Sequence, residues 1–237
     1  MGTIKTRFDR LATTYVGGME DPCKRLVAGK YELLVRLKLR CLRQIQRMYF
    51  GEKRIRILDF GCGTGEIAAG LAAHSGILQV IAADESLGMI QEARRRHAER
   101  LPKVRWTFLR HPQQALGKFD WIISVNTFHH IPPSRRASTA RRLFASLAAG
   151  GVLTILEHNP RNPLTRWIVA RCPFDRGVKL LSAQEVQALL GTTTAPMQIR
   201  YLGFLPPFVP GSAWLEKLLG KLPWGVQFLA WAQKASA

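Results

Sequence analysis

From Gly51 onward, short β-branched apolar runs alternate with stretches in which apolar residues recur every three or four positions. The runs are Arg54–Phe60, Leu78–Asp84, Val104–Leu109, Phe119–Val125 and Gly151–Glu157. Each is too apolar on both alternating faces for a sheet with one wet side, so each predicts a buried strand. Helical periodicity fills Thr64–His74, Ser86–Arg100 and Ser134–Ala148. Strands separated by helices imply βαβ units and a mostly parallel sheet covered on both faces. A further helix is signalled by Ser182-Ala-Gln-Glu185, in which each side chain satisfies a backbone donor of the other residue. Met197–Phe204 and Val226–Trp231 predict two last strands, with a short helix around Trp214–Leu222 between them.

Before Gly51 the pattern is different. Asp21-Pro22 starts a helix, as a cap residue followed by a proline at the first position, and Gly51 ends it. Along residues 22–50, Leu26, Leu34, Leu37, Leu42, Ile45 and Tyr49 form an apolar stripe, while Lys24, Arg25, Lys30, Arg36, Lys38, Arg40, Arg43 and Arg47 fill much of the rest. Such a helix packs its stripe on the domain or lies on an anionic surface. The expected organisation is an N-terminal helical cap, residues 1–50, on a single α/β domain, residues 51–237.

Composition narrows the class. The chain has 237 residues, 47% apolar and 22% charged, which suits a folded domain and excludes a disordered one. No run of about 18 apolar residues is present to span a bilayer. The opening MGTIKTRFDR lacks the apolar core of a secretory leader, and the four cysteines have no CxxC spacing. A cytoplasmic protein without a zinc ribbon or disulfide framework is therefore expected. The net charge of +19 changes the picture most. It fits a solvated basic surface or an anionic partner, including peripheral contact with an anionic membrane.

The chemistry is carried by Ile57-Leu58-Asp59-Phe60 running into Gly61-Cys62-Gly63-Thr64-Gly65 and then a helix. Glycines there permit a tight turn and close approach of a ligand to backbone donors at a helix start. Asp84 ends the next strand, where a carboxylate can take both hydroxyls of a ribose. ILDFGCGTG resembles motif I of class I S-adenosylmethionine-dependent methyltransferases. Asp84-Glu-Ser-Leu-Gly-Met89-Ile90 resembles their segment after the second strand. FDWIISVNTFHHI (119–131), LAAGGVLTILE (147–157) and Phe8-Asp9-x-Leu-Ala-x-x-Tyr15 are similar to segments of the small-molecule branch. The resemblance covers most of residues 5–160. It implies a Rossmann-like, doubly wound sheet of seven strands, the last antiparallel, with S-adenosylmethionine as cofactor. It further implies that Asp59, Gly61, Gly63 and Gly65 face the methionine part and that Asp84 binds the ribose. Met89 would pack on adenine, Asn126 would contact the amino-acid end, and Tyr15 would close over it. In place of the family's acidic residue after the third strand stands Arg110-His111-Pro112-Gln113-Gln114, so Gln113 or a backbone carbonyl would hold the adenine amino group.

Methyl transfer needs a base only where the nucleophile must lose a proton. His129, His130 and His158 follow the fourth and fifth strands at the carboxyl edge, where open α/β sheets bind ligands. They are the candidates, His129 first and His158 second. Glu157 shares that edge. Arg161, Arg166 and Arg171 follow it at five-residue intervals and suit a phosphate- or carboxylate-bearing or lipid-like acceptor. No metal is implied, since side chains of the adjacent His pair would diverge on a strand. The favoured function is methylation of a small anionic or amphipathic metabolite. The alternatives are methylation of RNA or another nucleic acid, which the basic charge alone supports, and a non-catalytic partner protein that keeps the cofactor pocket.

Overall fold

The computed structural model describes residues 8–10, 12, 31–111, 114, 116–189, 196–205 and 209–236. Helix α1 (Tyr31–Phe50) leads into β1 (Ile55–Phe60), α2 (Glu66–Ala72), β2 (Ile77–Asp84), α3 (Leu87–His97) and β3 (Val104–Phe108). There follow β4 (Phe119–Val125), α4 (Pro133–Ala145), β5 (Leu147–His158), α5 (Pro163–Arg171) and α6 (Ala183–Leu189). The chain closes with β6 (Gln198–Leu202), α7 (Ser212–Leu219) and β7 (Gln227–Gln233).

The seven strands form one sheet in the order β3-β2-β1-β4-β5-β7-β6. β1 to β5 pair in parallel, and β7 is antiparallel to both of its neighbours. This is the mostly parallel sheet expected from the alternation of apolar runs and helices, in the doubly wound, Rossmann-like form with seven strands that the resemblance implies. Successive strand residues feed opposite cores. Ile57, Val80, Ala82, Trp121 and Ile123 face α1, α2 and α3, whereas Leu58, Ile81, Ala83 and Ile122 face α4 and α6. The stripe of α1, including Leu37, Leu42 and Ile45, belongs to the first of these cores. The described part of this helix therefore packs on the domain; residues 22–30 of the expected helix lie outside the described residues.

Two boundaries move. The α4 helix stops at Ala145, and β5 begins at Leu147 rather than Gly151, because Leu147 already pairs with Phe119 before the ladder shifts register. Gly150, at φ 71°, sits in that irregularity. The capping box forms as its sequence predicts: Glu185 accepts from Ser182 N–H at 2.7 Å, and Ser182 Oγ accepts from Glu185 N–H at 3.2 Å.

Candidate active site

The strand order reverses between β1 and β4, which leaves a crevice at their carboxyl ends. A cavity of about 550 Å³ occupies it, well within the range of small-ligand sites. Its wall begins with Asp59 and the turn Gly61 to Thr64, continues through Asp84, Ser86 and Met89, and includes Asn126 and Thr127 beyond β4. Gly61 and Gly63 adopt φ 73° and 53°. A Cβ on Gly61 would lie 2.3 Å from Thr127 Cγ2, so glycine is required there by backbone conformation and by space. Gly63 donates its N–H to Asp84 Oδ2 at 2.9 Å, while Asp84 Oδ1 accepts from Ser86 N–H at 2.8 Å. One carboxylate thus ties the glycine turn to the start of α3.

Asp59 is almost fully buried, and its Oδ2 has no hydrogen-bond partner among the described residues. Burial, reinforced by the negative charge of Asp84, pushes its pKa up to about 7. An orphaned carboxylate oxygen on a cavity wall, beside a turn with open backbone, fits the ammonium group of the cofactor that motif I implies. Asp84, Met89 and Leu109 line the same cavity, so the ribose and adenine contacts that the resemblance implies for Asp84 and Met89 remain within one site. Cys62 also lines the cavity, but burial pushes its thiol well above its ordinary range, so it is no nucleophile at neutral pH.

The loop after β4 is held from β5. Glu157, with no exposed surface, accepts from Thr127 N–H at 3.0 Å, from Phe128 N–H at 2.7 Å and from His129 Nδ1 at 2.5 Å. Residues Phe128–His130 form a 3-10 turn and not a strand extension, so the two histidine rings lie side by side, 4.1 Å between centroids. The expected divergence of this pair is thereby corrected. Asp175, in a second 3-10 turn after α5, places Oδ1 3.4 Å from both His129 Nε2 and His130 Nε2. His158 closes the group, its ring 5.3 Å from His129. His129, His158 and Asp175 each bring one potential ligand atom within 4.8 Å of the others, a spacing that the sequence did not suggest.

Charge is unevenly shared in this cluster. Burial opposes protonation of His129, but Glu157 and Asp175 outweigh it and raise its pKa to about 9. Burial and the neighbouring His129 cation lower His130 to about 3 and His158 to about 4. Glu157 and Asp175 are both held below the usual carboxylate range, against their burial, by the histidines they face. One buried imidazolium therefore stands among carboxylates, and two neutral imidazoles flank it.

Of the cofactor residues named from sequence, Asp59, Gly61, Gly63, Asp84, Met89 and Asn126 all line the cavity. Asn126 is the one described non-glycine residue with positive φ, 53°, and its Oδ1 accepts from Gln227 at 3.0 Å. Gly65 is not on the cavity wall. It caps α2 at φ 88°, and a Cβ there would lie 2.5 Å from the Trp106 ring, so this glycine serves helix-to-strand packing. Tyr15 and Gln113 lie outside the described residues. Among the histidines, His130 lines the cavity, edge-on to Phe8 at 4.9 Å, while His129 and His158 lie behind it. Glu157 is fully buried in the network and off the cavity wall. Arg161, Arg166 and Arg171 are exposed and off it too, with Arg171 stacked over Trp167 at 4.2 Å.

Among the described residues two cations do reach the cavity, Lys38 of α1 and Arg135 of α4. Lys38 was legible in principle. It stands four residues after Leu34 and four before Leu42, on the apolar stripe and not on the basic face. Asp175 was legible as the lone acid between His158 and Arg176.

Comparison with known proteins shows the family. Residues 57–151 match the family described as a methyltransferase domain. The chain is 31% identical to a demethylmenaquinone methyltransferase of Thermus thermophilus over 65% of its own length and 73% of that enzyme's. It is 30% identical to a malonyl-[acyl-carrier protein] O-methyltransferase of Geobacter sulfurreducens, over 69% of this chain and 64% of that one. In fold it is similar to magnesium protoporphyrin IX methyltransferase of Synechocystis with bound cofactor, at TM-score 0.59 and 14% identity, over 94% of this chain and 97% of that one. The glycine turn, the two carboxylates behind it and these relatives agree, and the chain belongs to the class I S-adenosylmethionine-dependent methyltransferases.

Proposed function

We propose that the chain methylates a small metabolite that carries an anionic group and a hydroxyl or amine nucleophile. The observation that carries this reading is the composition of the cavity wall. Besides the cofactor-side residues it presents two cations, Lys38 and Arg135, and a buried imidazole nitrogen, His130 Nδ1, without a partner among the described residues. Asp175 beside Nε2 favours the tautomer with its proton on that atom, which leaves Nδ1 as an accepting lone pair. The depressed pKa keeps that lone pair free at neutral pH.

Bound S-adenosylmethionine supplies an electrophilic methyl group, and its transfer is an in-line displacement. The protein's work is then orientation and exclusion of water. Lys38 and Arg135 hold the acceptor's anionic group. His130 Nδ1 accepts a hydrogen bond from the acceptor's nucleophile and orients that atom's lone pair toward the methyl group; burial and the imidazolium of His129 keep His130 itself neutral, and the nucleophile's proton leaves to solvent. His129, pinned by Glu157, acts as a positioning residue for the loop. The named substrates of the two relatives, a demethylmenaquinone and a malonyl carrier conjugate, belong to those enzymes; an amphipathic or carboxylate-bearing acceptor is consistent with both.

Phe8, Tyr31, Val35 and Lys38 all line the cavity, which supports a capping role for the first fifty residues. A cytoplasmic setting is part of the same proposal, supported by the spacing of the four cysteines, which form no CxxC pair. Among the described residues no helix is long and apolar enough to cross a membrane.

The test is transfer of labelled methyl from S-adenosylmethionine into a cell extract separated into polar metabolites, organic-soluble lipids, nucleic acid and protein. Label in either small-molecule fraction is expected; label confined to nucleic acid would overturn the reading. On the identified acceptor, Lys38→Ala should raise KM and His130→Asn should lower kcat, with affinity for S-adenosylhomocysteine unchanged in both.

A further inference from the structure

Among the described residues, six of the nine large apolar side chains that stand exposed, including every exposed tryptophan, lie in two short segments, α5 and the stretch from α7 to β7. In α7, Trp214 and Leu218 stand four residues apart on one face, 67% and 62% exposed, and Leu222 follows just beyond the helix, also exposed. Trp224 follows at 63%, and Leu164 and Trp167 stand one helical turn apart on α5. Isolated surface hydrophobes need no explanation, but three tryptophans and three leucines in neighbouring segments do.

These segments share one end of the molecule. His158 at the end of β5 pairs with Gln227 at the start of β7, and Leu202 at the end of β6 pairs with the same Gln227. Everything between Leu202 and Gln227, and everything from Asn159 into α5, therefore leaves from the carboxyl edge where the cavity lies. Their mutual placement is fixed. Asn159 Nδ2 donates to Pro223 O at 3.0 Å and to Gly225 O at 2.7 Å, Asn162 Nδ2 donates to Trp224 O at 2.6 Å, and Thr165 Oγ1 donates to Val226 O at 2.8 Å. The Trp224 loop is thus clamped by the α5 side of the same edge while its indole stands in solvent.

The charge around this surface has one sign. Arg161, Arg166, Arg171, Lys217 and Lys221 are all exposed. Residues 159–171 contain no acid, and residues 203–226 contain only Glu216, which is turned inward to accept from Gly203 and Phe204 N–H at 3.0 and 2.7 Å. Tryptophan partitions to the headgroup level of a bilayer, leucine reaches below it, and lysine and arginine pair with anionic headgroups above. A partner protein surface would call for no such exclusion of carboxylates.

We propose that the α5–α7 face docks on an anionic lipid surface, with Trp214, Leu218, Leu222 and Trp224 at the acyl boundary and the five cations among the headgroups. Docking in this orientation turns the carboxyl edge of the sheet toward the bilayer. The docking goes beyond the methylation reading and stands whether or not the acceptor is itself a lipid.

The test uses the full chain and vesicles of equal parts dioleoylphosphatidylglycerol and dioleoylphosphatidylcholine, against vesicles of dioleoylphosphatidylcholine alone. Sedimentation with the anionic vesicles only is expected, with quenching of tryptophan fluorescence by chain-brominated lipid. Trp214→Ser with Trp224→Ser should weaken that binding by about tenfold or more, since each removes a large interfacial ring. Lys217→Glu with Lys221→Glu should do likewise. Unchanged affinity for S-adenosylhomocysteine shows that each variant is folded and keeps this test separate from any assay of turnover. Vesicle binding that is equal without the anionic lipid, or unaffected by the tryptophan pair, would overturn the proposal. So would absence of vesicle binding, including the case where duplex RNA is bound through the same tryptophans instead.

Discussion

Asp59→Asn separates the stability of the protein from its capacity to hold cofactor. In the wild type, burial and the charge of Asp84 raise the Asp59 pKa from 3.8 to about 7. Its native carboxyl thus binds a proton more tightly than the unfolded one. The stability this confers is complete below about pH 3.8 and is lost as the pH rises through about 7. A shift of roughly three units corresponds to about 4 kcal/mol. Asparagine does not titrate and keeps an acceptor for the Ala68 N–H that now bonds Asp59. It places an amide donor where Oδ2 has no partner, which costs about 1–3 kcal/mol. The variant should therefore be more stable than the wild type by about 1–3 kcal/mol at pH 8, and should lose that advantage at pH 5. Binding should move the other way. The wild type needs an ionised Asp59 to meet an ammonium group, so its affinity for S-adenosylhomocysteine should fall by up to about tenfold per pH unit below 7. The variant should bind weakly at every pH. Urea denaturation at pH 5 and 8, with calorimetric titration at pH 6, 7 and 8, reads both effects. A variant that is less stable at pH 8, or one that binds as tightly as the wild type, would refute the assignment of Asp59.

Three further outcomes are expected. His129, whose pKa is raised to about 9, contributes stability that is complete below pH 6.5 and disappears as the pH climbs through 9; the span is worth about 3 kcal/mol, and His129→Asn should flatten that part of a urea-denaturation pH profile. Glu157→Ala strips two backbone donors and an imidazolium of their acceptor and should cost about 3–5 kcal/mol, measured the same way. Gly61→Ala should cost more than Gly63→Ala in thermal denaturation. Both positions have positive φ, worth about 1 kcal/mol each in strain, but only the first also drives a methyl into Thr127, since nothing lies within 4 Å of a Cβ at Gly63; equal losses would contradict the close approach of the two turns.

What could be read from the sequence was what lies close together in it. The β1–turn–α2 unit, Asp84 and the Ser182 capping box each sit within one short segment, so their geometry follows from local spacing. The cluster behind the cavity does not. Glu157 lies 28 residues from His129 and Asp175 lies 46 from it, and only the pairing of β4 with β5 and the return of the chain after α5 bring them together. The arginines misled for a different reason. Arg161 precedes α5, and Arg166 and Arg171 stand on its exposed side while Thr165 and Val169 turn inward, a division that spacing alone does not give. Gly65 reads as part of the ligand turn because its role depends on Trp106 and Ala93, which arrive from β3 and α3.

Asp9 accepts from Ser86 Oγ at 2.6 Å and from Gly88 N–H at 3.0 Å, and Phe8 beside it covers His130. Ser86 is the residue that Asp84 also grips. The Phe8–Asp9 segment is therefore a latch whose keeper lies 77 residues further along the chain, and it engages only after the first two βα units have folded. Phe8 and Asp84 belong to the same cavity wall, so whatever cavity occupancy does to closure of the latch, closure does to affinity by the same factor. Asp9→Ala opens that latch, and should change ligand affinity from a side chain bonded to Ser86 and Gly88 and off the cavity wall. Protection of the N-terminal segment from proteases should correspondingly report how full the cavity is.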